Sequence, residues 1–125
     1  MEKNPLVRAV EKGDLAAIGR ILDDPAGGGP DLPGAGGLTA LMRAAARGNV
    51  DAVSALLARG ATVDAVDAFG NTALMYACAR GHATAVRTLV KAGAVRGHVN
   101  KYGLGPADWA KWPDGGNAIE DLMRA

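Results

Sequence analysis

A 33-residue segment of this chain is written twice in succession. Gly37–Phe69 laid over Gly70–Tyr102 without a gap gives 15 identities in 33 positions. They fall on paired glycines (Gly37/Gly70, Gly48/Gly81, Gly60/Gly93), paired threonines (Thr39/Thr72) and paired apolar residues (Leu41/Leu74, Ala44/Ala77, Val53/Val86, Leu56/Leu89, Ala61/Ala94). A tandem period of this length constrains the fold more than any composition figure. Each unit is one supersecondary element, too small to bury its own apolar face, and it must stack on its neighbours to do so.

Each repeated residue has a local task. Thr39 and Thr72 are candidate N-caps, because a hydroxyl accepts from the unpaired amides of a helix start. Leu41, Ala44 and Ala45 follow at helical spacing, and the small alanines let neighbouring helices approach closely. Gly48 and Gly81 stand where that helix stops in a left-handed conformation. Val50, Val53, Leu56 and Leu57 form the stripe of a second helix, which Gly60 and Gly93 end. The turn-rich stretches ATVDAVDAFG and AVRGHVNKYG lead into the next unit.

The register extends in both directions. Thirty-three residues on, Gly103, Pro106, Ala110, Ile119, Leu122 and Met123 fall on repeat positions, and Asn117 is placed to cap a last helix. Thirty-five residues back, Leu6, Ala9, Gly13, Ile18, Ile21 and Leu22 match, with Asn4 as N-cap and Pro5 in the first turn. The extra two residues lie in DDPAGGGPDLPGAGG, where the usual hairpin sequence is lost. Five glycines and three prolines between Pro25 and Gly36 predict a mobile loop. The expectation is a single all-α domain over residues 1–125. Its units are 4–36, 37–69, 70–102 and a truncated 103–125, that is, two full repeats between two capping ones.

The phrases GLTALMRAAARGN with LLARGA, and GNTALMYACARGH with LVKAGA, resemble the ankyrin-repeat family and its pattern G-x-T-P-L-H-x-A-A-x-x-G-H followed by L-L-x-x-G-A. The resemblance implies an ankyrin solenoid of stacked helix-turn-helix units with hairpin-like turns. It also implies a non-catalytic module that binds another protein. Four departures are visible. Ala40 and Ala73 replace proline. Met42 and Met75 replace a histidine whose hydrogen bond ties neighbouring repeats. Gly105 replaces the capping threonine in the last unit. Pro113, within KWPDGGN, should end a helix early.

No constellation for catalysis emerges. Ser54 is the only serine, on a second helix with no acid–base partner at a suitable spacing, and reads as solvent-facing. Cys78, the only cysteine, replaces the alanine of a tight packing position and reads as a small buried apolar residue. His82 follows a helix-ending glycine and reads as framework, whereas His98 lies in a turn and is expected to face water. Two unlinked histidines and one cysteine make a poor metal set. GAGGLT imitates a phosphate loop but lacks a preceding strand and a following G-K-[ST]. No cofactor is expected. Formal net charge is +1 and 49% of residues are apolar, which favours neither a nucleic-acid binder nor disorder. No apolar run reaches the roughly 18 residues of a membrane span. Charges interrupt the N-terminal stretch where a signal peptide is apolar. A cytoplasmic or nuclear monomer without membrane contact is expected.

If the shared residues make a scaffold, the variable ones make the binding face. The resemblance puts that face on the hairpin tips and the exposed side of each first helix. By register the tip positions are Leu38, Ala68, Phe69, Asn71, Lys101, Tyr102 and Leu104. The helix positions are Glu11, Lys12, Ala46, Arg47, Ala79, Arg80 and Trp112. Lys12, Arg47 and Arg80 occupy one place in successive units, about 10 Å apart in such a stack. With Lys101 they form a basic ladder suited to an acidic or amphipathic partner segment. Helix capping is the competing reading for these cations, since they also face the negative helix end. Phe69, Tyr102 and Trp112 add aromatic anchors, although Trp112 also suits the end of the core. Two narrower readings stay open. One is a dedicated inhibitor, since the arrangement resembles small ankyrin proteins that sequester an actin-capping protein or inhibit cyclin-dependent kinases. The other is a structural assembly subunit.

Overall fold

Polar side chains start the helices where the sequence puts them. In the computed structural model, which describes residues 3–109, Asn4 accepts from the amides of Leu6 (2.9 Å) and Val7 (3.3 Å) and opens α1 (Pro5–Lys12). Asp14 accepts from Ala17 and opens α2 (Leu15–Asp23). Thr39 accepts from Met42 at 3.2 Å to open α3 (Ala40–Arg47), and Asn49 from Ala52 to open α4 (Val50–Ala58). Thr72 repeats the Thr39 contact for α5 (Ala73–Ala79), with α6 (Ala83–Lys91) following His82. A short α7 (Pro106–Trp109) begins another unit. There the Gly105 amide donates to Asp108 Oδ2 at 2.7 Å, the reciprocal half of a capping box, while glycine has no side chain to accept from the helix amides as the threonines do. Among the described residues there is no strand. The fold is an all-α ankyrin-repeat solenoid.

The first helices of the units form one layer, α1–α3–α5–α7, and the second helices form another, α2–α4–α6. Leu6, Val10, Leu41, Ala44, Ala45, Leu74, Ala77 and Cys78 fill the inner layer, while Ile18, Val53, Leu56, Val86 and Leu89 face them from the outer one. All are essentially inaccessible to water. Alanine and cysteine at the facing positions of α3 and α5 permit close packing, as the repeat pattern requires.

The links between units are three turns of one design. The Gly34 amide donates to Leu38 O (2.7 Å), Asp67 to Asn71 O (3.0 Å) and Asn100 to Leu104 O (2.8 Å). Each starts 33 residues after the last. The first unit therefore keeps the hairpin-like turn that its sequence seemed to have lost. The extra residues lie ahead of the turn. That stretch, composed like a mobile loop, is anchored near its end at two adjacent residues. Leu32 O accepts from Asn4 Nδ2 at 2.7 Å, and Asp31 accepts from the amide (2.7 Å) and hydroxyl (2.6 Å) of Thr62 in the next unit.

Successive tips are joined by main-chain bonds, Ala68 N to Gly36 O at 2.9 Å and Lys101 N to Phe69 O at 3.0 Å. Gly37 and Gly70 make that approach possible. Both have positive φ (76° and 79°), and a Cβ on Gly70 would lie 3.2 Å from Asn100 Cα and from Lys101 N. Gly60 also has positive φ (86°) but faces open space. Gly60→Ala should therefore cost only the left-handed strain, roughly 1–2 kcal/mol. Gly70→Ala should cost more, because the next tip must also move. Urea denaturation of the two variants checks this, and equal losses would show that the tips are not in close contact.

Candidate functional site

Asp67 organises the middle tip. It is 7% exposed, and Oδ1 accepts from the amides of Phe69 and Asn71, both at 2.9 Å. Its other oxygen accepts from the hydroxyl of Tyr76 on α5. Asn100 repeats the pattern one unit on, accepting from Tyr102 N (2.8 Å) and Leu104 N (3.1 Å). A short polar side chain thus closes each of these two turns and leaves the ring at its apex exposed. Phe69 and Tyr102 are 52% and 70% exposed, and their rings stack with centroids 6.5 Å apart.

Two hollows lie beside these tips. The larger, about 220 Å³, is lined by Leu38, Arg43, Ala46, Asp67, Phe69, Tyr76 and Arg80, together with the turn residues Ala35 and Gly36. The smaller, about 130 Å³, is lined by Asn71, Met75, Tyr76, Ala79 and Arg80. Tyr76 and Arg80 are common to both. The fold thus brings together Leu38, Phe69 and Arg80 in one hollow and Asn71 and Arg80 in the other. Tyr102 joins through its stack on Phe69. Lys101 is exposed on the third tip, and Leu104 closes the turn beside it. Arg47 is exposed at the last turn of α3 and lines neither hollow. Trp112 lies outside the described residues, as do Pro113 and Asn117.

Two groove residues escaped the sequence reading. Tyr76 packs on the core, but it also lines both hollows and reaches back nine residues to Asp67. Arg43 occupies the position 33 residues earlier. Its Nε is 3.3 Å from Glu11 Oε1, an ion-pair distance, yet it is buried without an aligned hydrogen-bond acceptor. The available signal was that one register position carries Arg43 and then Tyr76, a change that core packing alone does not require.

The histidines tie the stack together. His82 Nε2 is 3.1 Å from Ala46 O, bridging α6 to α3, as its framework position suggests. His98 departs from expectation: it is half-buried and its Nε2 lies 2.9 Å from Gly70 O rather than in water. A carbonyl only accepts, so each Nε2 carries the proton. Asn100 Nδ2 donates to Asn71 Oδ1 at 2.9 Å. Of these bonds, His82 to Ala46 runs between units, a role that Met42 and Met75 cannot fill, whereas the other two tie successive tips. Met42 sulfur instead accepts from the Thr39 amide at 3.4 Å. Among the described residues no group of His, Cys, Asp and Glu is arranged to hold a metal ion, and no helix is long and apolar enough to cross a membrane.

A family model described as ankyrin repeats matches residues 3–102 in three copies. No curated protein matches the chain.

Burial, reinforced by the Asp67 hydrogen bond and charge, pushes the Tyr76 phenol up to about 12. The native chain therefore holds this proton more tightly than the unfolded chain does. Its contribution to stability is complete below pH 10 and is lost as pH rises from 10 to 12. Tyr76→Phe should flatten the fall in stability over that window, and should cost about 1 kcal/mol at neutral pH; urea titrations at several pH values read both. Burial likewise pushes the Cys78 thiol up to about 12. A thiol reagent should leave Cys78 untouched in the folded chain near neutral pH and modify it on addition of urea.

Proposed function

Because the chain belongs to the ankyrin-repeat family, we propose that it is a non-catalytic protein-interaction module that holds a segment of a partner protein along its concave face. Ankyrin repeats are in general protein–protein interaction modules. The observation that carries the reading to this face is the Phe69–Tyr102 stack, two large rings left in water on adjacent tips. Rings of this size contribute far more when buried, and exposed aromatics flanked by arginine are the usual anchors of interfaces. Arg47, Arg80 and Lys101 are exposed nearby and make no ion pair with the described residues. The proposed contact set is Leu38, Arg47, Phe69, Asn71, Arg80, Lys101, Tyr102 and Leu104, meeting an acidic or amphipathic segment. The free chain would be a monomer of the cytoplasm or nucleus, acting by adapting or masking its partner.

The test compares wild type with Phe69→Ala/Tyr102→Ala. Both rings are exposed, so circular dichroism should show an intact fold. Proteins retained by the wild type on a column should be lost from the variant, each truncation costing about 2 kcal/mol of binding. Equal retention by both would move the site to the convex face or an end of the stack.

A further inference from the structure

We propose that the larger hollow is a two-part subsite for an extended acidic peptide, taking one apolar side chain against Leu38 and Phe69 and a carboxylate two residues away on Arg80 and Arg43. This rests on the concave-face reading above and deepens it.

Size selects the occupant first. At about 220 Å³ the hollow falls below the range of roughly 300–1,000 Å³ typical of small-molecule pockets. It suits inserted side chains of a peptide rather than a whole small-molecule ligand. The lining selects next. Ala35, Leu38, Ala46 and Phe69 make an apolar wall, while Arg43, Arg80, Asp67 and Tyr76 make a polar one. The polar wall is not balanced in charge. Asp67 is fully engaged by two amides and the Tyr76 hydroxyl. Tyr76 stays neutral well above physiological pH. Arg80 has no ion pair among the described residues, and Arg43 meets Glu11 without an aligned Nε hydrogen bond. What the hollow lacks is an acceptor anion beside an apolar group.

The backbone selects the mode. The Ala68 and Lys101 amides and the Gly36 and Phe69 carbonyls already pair tip to tip. A peptide therefore cannot bind there by adding a strand through these groups, and recognition falls to side chains. In an extended chain, residues i and i+2 point the same way. An apolar residue and a carboxylate that enter one hollow together must then read apolar-x-Asp/Glu. Arg80 also borders the smaller hollow, so it holds the carboxylate at the junction of the two.

A displayed library of random 12-residue peptides, selected on the immobilised full chain, tests this. Winners should share the apolar-x-acid triplet. A labelled synthetic winner, followed by fluorescence anisotropy, should weaken about tenfold or more on Arg80→Gln, on Leu38→Ser, or when its own acid becomes the amide. Added salt should weaken it too. Arg20→Gln on the exposed side of α2 should leave it unchanged, and circular dichroism checks each fold. Winners that lack the triplet, or that ignore Arg80→Gln, while still failing on Phe69→Ala/Tyr102→Ala, overturn the subsite and leave the concave-face reading standing. Winners unaffected by either variant, or a library without winners, overturn both. A single-stranded RNA 12-mer that displaces the winner at lower concentration would assign the arginines to phosphate and also overturn the subsite.

Discussion

Every feature of the concave face depends on the bond each hairpin tip makes to the one before it. Apolar packing between helices is strong but non-directional, and two layers of alanine and leucine could slide past one another at small cost. The Ala68–Gly36 and Lys101–Phe69 main-chain bonds remove that freedom. They fix one unit on the next to within hydrogen-bond tolerance. A second row adds a further constraint: Asp31 accepts from Thr62, and Asp64 accepts from the Val95 amide at 2.9 Å, again 33 residues on. Two rows of directional bonds at separate points set both distance and rotation between units. The stack of Phe69 on Tyr102 and the width of the hollow beside Leu38 are consequences of that setting.

The parts of this fold that were legible in the sequence are those made by residues close together in the chain. Thr39, Thr72, Asn4 and Pro5 act within one helical turn, so their pattern is local. Apolar spacing identifies the buried stripes for the same reason. The tip positions Leu38 and Phe69 and the helix position Arg80 were reached through register, and all three line one hollow. The contacts that register could not supply join residues far apart in the pattern. Tyr76 to Asp67 and Asp31 to Thr62 run between units, His98 to Gly70 joins the two ends of one unit, and none of these spacings follows a helical or strand period. A weak signal did exist. Asp31 and Asp64 share a register position, as do Asp67 and Asn100. The first pair was hidden because the helix of the first unit aligns at 35 residues while its turn aligns at 33. The second pair is similar rather than identical, so counting identities passed over it.

The glycine- and proline-rich stretch before the first turn shows how composition misleads when side-chain anchors are sparse but well placed. Its glycines raise the entropy of the unfolded chain and argue for disorder. Asn4, the cap of α1, reaches Leu32 with the amide end of the same side chain, and Asp31 clamps Thr62. Those bonds fix Asp31 and Leu32, just ahead of Gly34. The tip that follows supplies Ala35, Gly36 and Leu38 to the wall of the larger hollow. Order in this loop and the shape of the groove are therefore one structural question.

A formal charge of +1 conceals a division of labour between the signs. Asp14 caps a helix, Asp24 closes a turn onto the Ala26 amide, and Asp31, Asp64 and Asp67 hold backbone amides between or within turns. Asp23 pairs with Arg59, and Glu11 with Arg43. Amide dipoles directed at a carboxylate offset part of its field at close range, as they do at a helix N-terminus. The arginines at the ends of the inner helices have no comparable structural partner. Arg47 and Arg80 stand at the negative end of their own helix, which is satisfied by proximity, and neither makes an ion pair among the described residues. Acids built into the scaffold and cations left exposed beside the tips are what the proposed face would offer a partner, although the chain as a whole is nearly neutral. That sorting reaches beyond a Debye length only weakly at physiological salt, so in the proposed role it would act on a segment already in contact rather than draw one from a distance.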